Sequence, residues 1–412
     1  MSLIIILIVY SYNIYIFFLQ FRKKYTFLYE YVFCVFISNI LITQVLGQYQ
    51  SVAFPIRFLH MLMLIVYVFR NRIKINIIIF LILTYAIFLV LIYSDIYSIS
   101  YLVNFVTFYL AFLSGKNLIN DENFEYKILQ VAKRIILSSL IYLMFTLTFS
   151  IGFSMYNEAN TVGGLAMDRI NIVAYSFIIV LIYLVRNRIN KKNIVYLFIG
   201  IISILIVSKR LPILMILIGF VVSLIQSKIT IKKVFVLLRV CVLFTIFIFI
   251  LPNEYGLGRL EMRGGKVKIE NGVIEKESRY LEYLYIFDYI EDVNIEKLIF
   301  GNNFKSTHEY RKKYLGLEKR EIHTGYINNF YRFGLIGFTL ITSFFIWIGI
   351  SINKIPKQSS IKYLGLPLLI MLLLYEGVDI VHEGFPSIIV FLIFGKLYSE
   401  INKYKKINKS LS

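Results

Sequence analysis

Residues Ile75–Tyr93 read INIIIFLILTYAIFLVLIY: nineteen positions with no charge, no glycine and no proline. As a helix rising about 1.5 Å per residue, this stretch covers the roughly 30 Å of a bilayer's hydrocarbon core. Runs of the same kind recur along the chain, as in Val234–Leu251, where only Arg239 intervenes. Transmembrane β-barrels instead alternate apolar and polar residues in shorter segments. The chain therefore reads as an all-α polytopic integral membrane protein.

Working outward, helices are expected near 2–20, 27–46, 53–69, 75–93, 97–114, 135–153, 170–185, 194–207, 211–226, 234–251, 328–350, 362–380 and 384–399. That is about 12–13 transmembrane helices with one large loop, Pro252–Ile327, between them. The chain divides accordingly into 1–251, the loop 252–327, and a C-terminal part 328–412 with a basic tail.

Composition agrees. Of 412 residues, 58% are hydrophobic and 17% aromatic, and the mean hydropathy is +0.74; soluble domains sit nearer 45–50% apolar. Lysine and arginine number 44 against 24 acidic residues, a net charge of +20. These cations fall between apolar runs at regular intervals. They are read as topogenic charges facing anionic lipid, not as a nucleic-acid surface. Cys34 and Cys241 both lie inside apolar runs and suggest neither a disulfide framework nor a metal site. The first run lacks a basic leader and a small-residue cleavage site, so it is read as a retained helix.

The connections fall into two alternating sets. One comprises Arg22 to Lys24, Arg70 to Lys74, Lys116 to Arg134, Arg186 to Lys192, Lys228 to Lys233, Lys354 to Lys362 and the tail from Lys396, all basic. The other comprises Gly47–Ala53, Ser94–Tyr97, Ser154–Asp168, Ser208–Arg210 and Tyr375–Phe385, nearly free of Lys and Arg. The positive-inside rule puts the first set and the C-terminus in the cytoplasm, and the long loop outside. Lys209 and Arg210 break the rule at the outer end. Two readings stand: the side chains snorkel to the interface, or they anchor an anionic substrate there. Arg169 beside Asp168 reads as an ion pair.

Within the loop, Lys266–Lys276 alternates apolar and polar residues around Asn271-Gly272, a β-hairpin signal with a type I′ turn. Glu277–Ile295 reads as an amphipathic helix along the outer interface, with an apolar stripe at Leu281, Leu284, Tyr285, Phe287 and Ile290. Arg279 sits in its first turn, the wrong end for a cation to complement the helix dipole. A glycine turn at Gly301 is expected to break that helix, and a short charged helix is expected over Thr307–Leu315, carrying His308. His323 then leads through Tyr326 and Asn328 into the next membrane helix.

No nucleotide-binding glycine loop, GxSxG, HExxH or CxxC occurs, nor an Asp-x-Asp pair for a divalent metal. What remains is arginine with histidine and glutamate. Arginine's rigid fork suits pyrophosphate oxygens. Histidine, with an ordinary pKa near about 6.5, can take a proton from an attacking hydroxyl. The set fits glycosyl transfer from a polyprenyl-pyrophosphate sugar at the outer leaflet.

These residues resemble the bacterial O-antigen polymerase and O-antigen ligase superfamily. The resemblance rests on Ser208-Lys209-Arg210 opening a membrane helix and Glu277-Ser-Arg279-Tyr at the loop helix. It extends through Leu298-Ile-Phe-Gly301, and His323-Thr-Gly-Tyr-Ile-Asn-Asn running into Gly334-Leu-Ile-Gly337. It covers about Gly200–Ile350; elsewhere it rests on topology. It implies a GT-C-like membrane glycosyltransferase architecture and metal-independent, inverting transfer with no cofactor. By position, Arg210 and Arg279 would bind the donor pyrophosphate and His323 would serve as general base or orient the acceptor. Lys209, Glu277, Tyr326 and Asn328 would be substrate-binding. The implied reaction moves a growing glycan from undecaprenyl pyrophosphate to the non-reducing end of a lipid-linked repeat unit. The implied setting is the bacterial inner membrane, with the site facing the periplasm or exterior and a chain-length regulator and flippase as pathway partners. The alternatives are a ligase delivering to lipid A-core, and a polysaccharide transporter or flippase.

Overall fold

A helix that is apolar all round has no face to give to water, so it must share its surface between neighbouring helices and lipid. The uncharged stretch that begins at Ile75 does this. Ile79, Ile82, Ala86 and Leu89, spaced three and four apart, are buried against the bundle. On the same helix Leu91 is 76% exposed, and Ile77, Phe80 and Ile87 are exposed with it.

The computed structural model describes residues 2–41, 50–92, 96–149, 170–186, 191–207, 210–226, 269–270, 273–274, 282–283, 286–302, 322, 324–356, 359, 361–378 and 387–411. In chain order the helices begin with α1 (Ser2–Arg22), α2 (Lys24–Ile40), α3 (Gln50–Arg70), α4 (Ile77–Ile92) and α5 (Ile96–Lys116). They continue with α6 (Phe124–Phe149), α7 (Ile170–Arg186), α8 (Lys191–Val207) and α9 (Arg210–Gln226). Strands β1 (Ile269–Glu270) and β2 (Val273–Ile274) follow, then short helices α10 (Ile286–Asp292) and α11 (Ile295–Phe300). The chain closes with α12 (Gly325–Lys354), α13 (Lys362–Val378) and α14 (Ile388–Leu411). Among the described residues, four helices are long and apolar enough to cross a membrane: Ala53–Arg70, Ile99–Asn120, Phe124–Phe145 and Gly325–Lys354. Shorter apolar helices surround them, and the protein is a helical one of membrane type.

The sequence places these helices well but misjudges several ends. Helix α6 begins at Phe124, not near 135. Its first turns carry charges that the structure satisfies: Lys127 pairs with Asp121 at 3.0 Å, and Arg134 forks onto both oxygens of Glu30 at 2.6 and 3.0 Å. Paired charges let a helix run past its apolar stretch. Helix α14 likewise continues through the basic tail to Leu411. Helix α2 begins at Lys24 rather than 27; its expected end at 46 lies in 42–49, outside the described residues, as does the expected helix 234–251.

Side-chain contacts fix which helix ends lie together. Arg70 donates to the carbonyls of Gln20 and Phe21, Asn117 to the Tyr67 hydroxyl, and Tyr29 to Asp121. Lys396 donates to the Ile119 carbonyl and pairs with Glu400. Lys116 lies over the Tyr398 ring, Lys133 over Tyr196 and Arg186 over Tyr363. The ends of α1, α3, α5, α7 and α12 and the starts of α2, α6, α8 and α13 therefore form one basic end. Helices α5 and α14 run in parallel and touch backbone to backbone: a Cβ on Gly115 would lie 2.0 Å from the Leu392 carbonyl oxygen. Small residues let membrane helices approach this closely.

The opposite end then holds the start of α9, the start of α12, the end of α13 and the start of α14. Helix α8 leaves the basic end and returns the chain to this end at Val207, so Arg210 opens α9 there. Helix α9 packs midway along against α7 and α13, where Gly219 faces Ile178 and Met371.

Candidate functional site

At the end opposite the basic one, α12 is not a single helix. Gly334 sits at φ 59° and ψ −167°, which splits it into a segment 325–333 and a crossing segment 335–354. The crossing segment is about 30 Å long at 1.5 Å per residue. A break strands carbonyls that have lost their partners four residues on. Here other parts of the chain supply donors. Asn302 gives its backbone N–H and its side-chain amide to the Tyr331 carbonyl, at 2.9 and 3.1 Å. The Tyr85 hydroxyl serves the carbonyls of Phe333 at 2.8 Å and Phe300 at 2.9 Å.

The turn that ends α11 lies directly on this break. Gly301 has φ 85°, and a Cβ there would fall 2.2 Å from the Arg332 carbonyl oxygen and 2.5 Å from the Gly334 nitrogen. A Cβ on Gly334 would fall 2.4 Å from the Gly301 nitrogen. Both positions need glycine twice over, for the left-handed backbone and for the contact. The Leu298–Gly301 and Gly334–Gly337 motifs of the sequence thus meet in space.

The loop helix differs from its expectation. Helix α10 ends at Asp292, and Asn294 caps a new helix, α11, by accepting from the Lys297 N–H at 3.0 Å. Gly301 ends α11 rather than breaking a longer helix. Of the apolar stripe expected along the outer interface, Phe287, 68% exposed, and Ile290 are exposed, Leu281, Leu284 and Tyr285 lie outside the described residues, and Tyr289 beside the stripe is buried. Tyr289 packs with Ile322, Ile327 and Tyr331 in a small core of its own, and its hydroxyl accepts from Asn302 at 2.6 Å. The hairpin is formed, with Ile269 opposite Ile274 and Glu270 opposite Val273; Asn271 and Gly272 lie outside the described residues, as does Thr307–Leu315 with His308.

Glu282 is fully buried and accepts both the N–H and the hydroxyl of Thr324, each at 2.9 Å. Thr324 precedes α12, so this carboxylate sits at a helix N-terminus, where the dipole favours negative charge. Asn328, 1% exposed, donates its side-chain amide to the Ile322 carbonyl at 3.2 Å. Its backbone N–H reaches the Thr324 carbonyl at 2.9 Å. The chain is therefore held on both sides of position 323. The Asn328 Oδ1 is buried with no hydrogen-bond partner among the described residues.

The last turn of α13 takes up the other ties. The Tyr326 hydroxyl donates to the Leu373 carbonyl at 3.0 Å, and the Tyr283 hydroxyl to the Gly377 carbonyl at 2.8 Å. Burial, with Glu376 and Glu282 nearby, pushes the Tyr283 phenol above its ordinary range, so it stays a donor. Asn329 donates to Glu376, which is 0% exposed. Arg332, also buried, lies with its guanidinium 4.0 Å over the Tyr101 ring.

Of the residues singled out from sequence, His323, Arg279, Glu277 and Lys209 lie outside the described residues, and Arg210 is described in its backbone alone. Tyr326 and Asn328 are described, and their polar contacts hold the start of α12 in place. Sequence reading missed Glu282, Glu376, Arg332 and Tyr85. One signal was available: Glu376 follows Leu372-Leu373-Leu374-Tyr375, and an acid at the end of an apolar run is costly without a purpose. Among the described residues no group of three or more His, Cys, Asp or Glu could hold a metal ion. No protein-family profile and no curated protein matches this chain.

Proposed function

We propose that the chain is a membrane glycosyltransferase of the polysaccharide-polymerase type, GT-C-like, with 12–13 spanning helices. Its site faces the outside of a bacterial inner membrane, and its basic end, with the C-terminus, faces the cytoplasm. The donor is a glycan on undecaprenyl pyrophosphate, and the acceptor is the non-reducing end of a lipid-linked repeat unit. The acceptor hydroxyl oxygen bonds to the anomeric carbon from the face opposite the leaving group. The bond from that carbon to the pyrophosphate oxygen breaks, inverting the centre, and His323 takes the hydroxyl proton. Arg210 and Arg279 neutralise the departing pyrophosphate. Lys209, Glu277, Tyr326 and Asn328 complete the substrate surface.

The observation that carries this reading is the double restraint around position 323. Glu282 holds Thr324 and Asn328 holds Ile322, at the same end of the bundle where α9 opens with Arg210. A base must be held within hydrogen-bond reach of the proton it removes, and a chain fixed at both neighbours supports that reading. One observation favours a transporter instead: α12 is broken, as helices at transport sites often are. The carbonyls at that break are already taken by Asn302 and Tyr85, which leaves them committed to the fold.

The test is in cells that make a long surface glycan through this protein. Arg210→Ala, Arg279→Ala and His323→Ala each abolish the ladder of chain lengths while the protein still inserts at wild-type level. Normal ladders from all three variants reject the assignment.

A further inference from the structure

Three ties converge on the last two turns of α13, from two elements. The loop arrives through Tyr283, the start of α12 through Tyr326, and its next turn through Asn329. The first two ties end on backbone carbonyls that any sequence would present. The third ends on a side chain, and the choice of side chain is costly twice. Glu376 is 0% exposed, and a buried carboxylate must recover the hydration it loses. It also lies in the last turn of a helix, where the dipole opposes negative charge. Tyr109, Tyr175, Tyr283 and Tyr326 all lie close enough to sense its charge. What the side chain gives in return is an acceptor oxygen set at a fixed place for the Asn329 amide. It fixes which end of the Asn329 amide faces α13.

We propose that Glu376 is a positioning residue: by holding Asn329 it fixes the segment 325–333 against α13, and with it Thr324 and Ile322 at the start of α12, for transfer. The inference rests on the glycosyl-transfer reading for its kinetic consequence and stands apart from it for its structural one. Asn329 lies one helical turn beyond Tyr326 and next to Asn328, whose amide holds Ile322. Releasing Asn329 loosens that whole turn while leaving the distant Arg134–Glu30 tie between α6 and α2 untouched.

The experiment uses the full chain in nanodiscs, with undecaprenyl-pyrophosphate-linked repeat units extracted from cells lacking this protein. Glu376→Ala lowers kcat about tenfold, the size expected when a buried hydrogen bond to a charged group is lost, and leaves KM within about twofold. Glu376→Gln keeps an acceptor of the same shape and recovers to within about threefold of wild type. Asn329→Ala matches Glu376→Ala, and the double variant is no worse than either. In parallel, amide hydrogen exchange in Glu376→Ala rises over 325–333 and stays unchanged over 126–134, where α6 is tied to α2 by Arg134 and Glu30. Wild-type kcat in Glu376→Ala overturns the proposal. So does equal loss in the Ala and Gln variants with exchange unchanged, since that pattern belongs to a group that touches the reacting atoms. If wild-type protein makes no polymer at all, the functional reading fails and the exchange arm alone decides: faster exchange over 325–333 upholds the positioning role, and no change overturns it.

Discussion

At single residues, the structure turns on a pair of glycines and a few buried polar groups. Gly334 needs a positive φ, and its absent side chain makes room for the Gly301 nitrogen. Alanine there costs about 1–3 kcal/mol for the backbone alone and then meets the contact. Gly334→Ala should lower the unfolding temperature in detergent by several degrees. Gly334→Asn should not rescue it, because φ 59° with ψ −167° lies outside the αL region that asparagine tolerates and the clash belongs to Cβ. At the other key position, Arg210→Lys should lose most activity in the ladder assay. A point charge cannot reproduce a bidentate fork on pyrophosphate. Wild-type ladders from Arg210→Lys would make Arg210 a snorkelling residue. The glycines were legible in the sequence as two separate motifs. Their contact was not, because nothing local says that a turn near 301 packs on a helix near 334. Glu282 and Glu376 were hidden for the same reason: a carboxylate shows its partner only once the chain is folded.

Among elements, periodicity located the long helices and failed where partners decide. It placed α4, α7 and α9 within two residues at each end. It started α6 too late because the charges of the first turns have ion-pair partners far away in sequence, Glu30 for Arg134. It ran the loop helix on to Ile295, past the end of α10 at Asp292, because an Asn cap in mid-run weighs little against a long apolar pattern. The interlock between loop and membrane helix is the element that matters most. Glu282→Ala leaves the N–H and hydroxyl of Thr324 buried without their acceptor, at about 1–3 kcal/mol for each group. Hydrogen exchange at the Thr324 amide should rise in that variant, while Glu282→Gln, which keeps an acceptor oxygen, should hold it near wild type. Equal protection in Glu282→Ala would show that the clamp is not what fixes the start of α12.

Over the whole molecule, the alternation of basic and non-basic connections became a physical separation of ends. Arg70, Arg134, Arg186, Lys116 and Lys396 all make their contacts at one end of the bundle. The candidate site occupies the other. In a background with Cys34→Ser and Cys241→Ser, a cysteine at position 271 should react with a membrane-impermeant maleimide on intact cells. One at position 354 should react only after permeabilisation. The reverse pattern would invert the topology and put the site on the wrong side for an outer-leaflet donor. The central claim is that this bundle joins lipid-linked glycans, and one reaction tests it most directly. Purified protein in a bilayer is incubated with undecaprenyl-pyrophosphate-linked repeat units and excess EDTA, and the products are resolved by size. The expected product is a ladder of lengthening glycan that His323→Ala fails to make. Unchanged repeat units with the wild-type protein, with or without divalent metal, would contradict it.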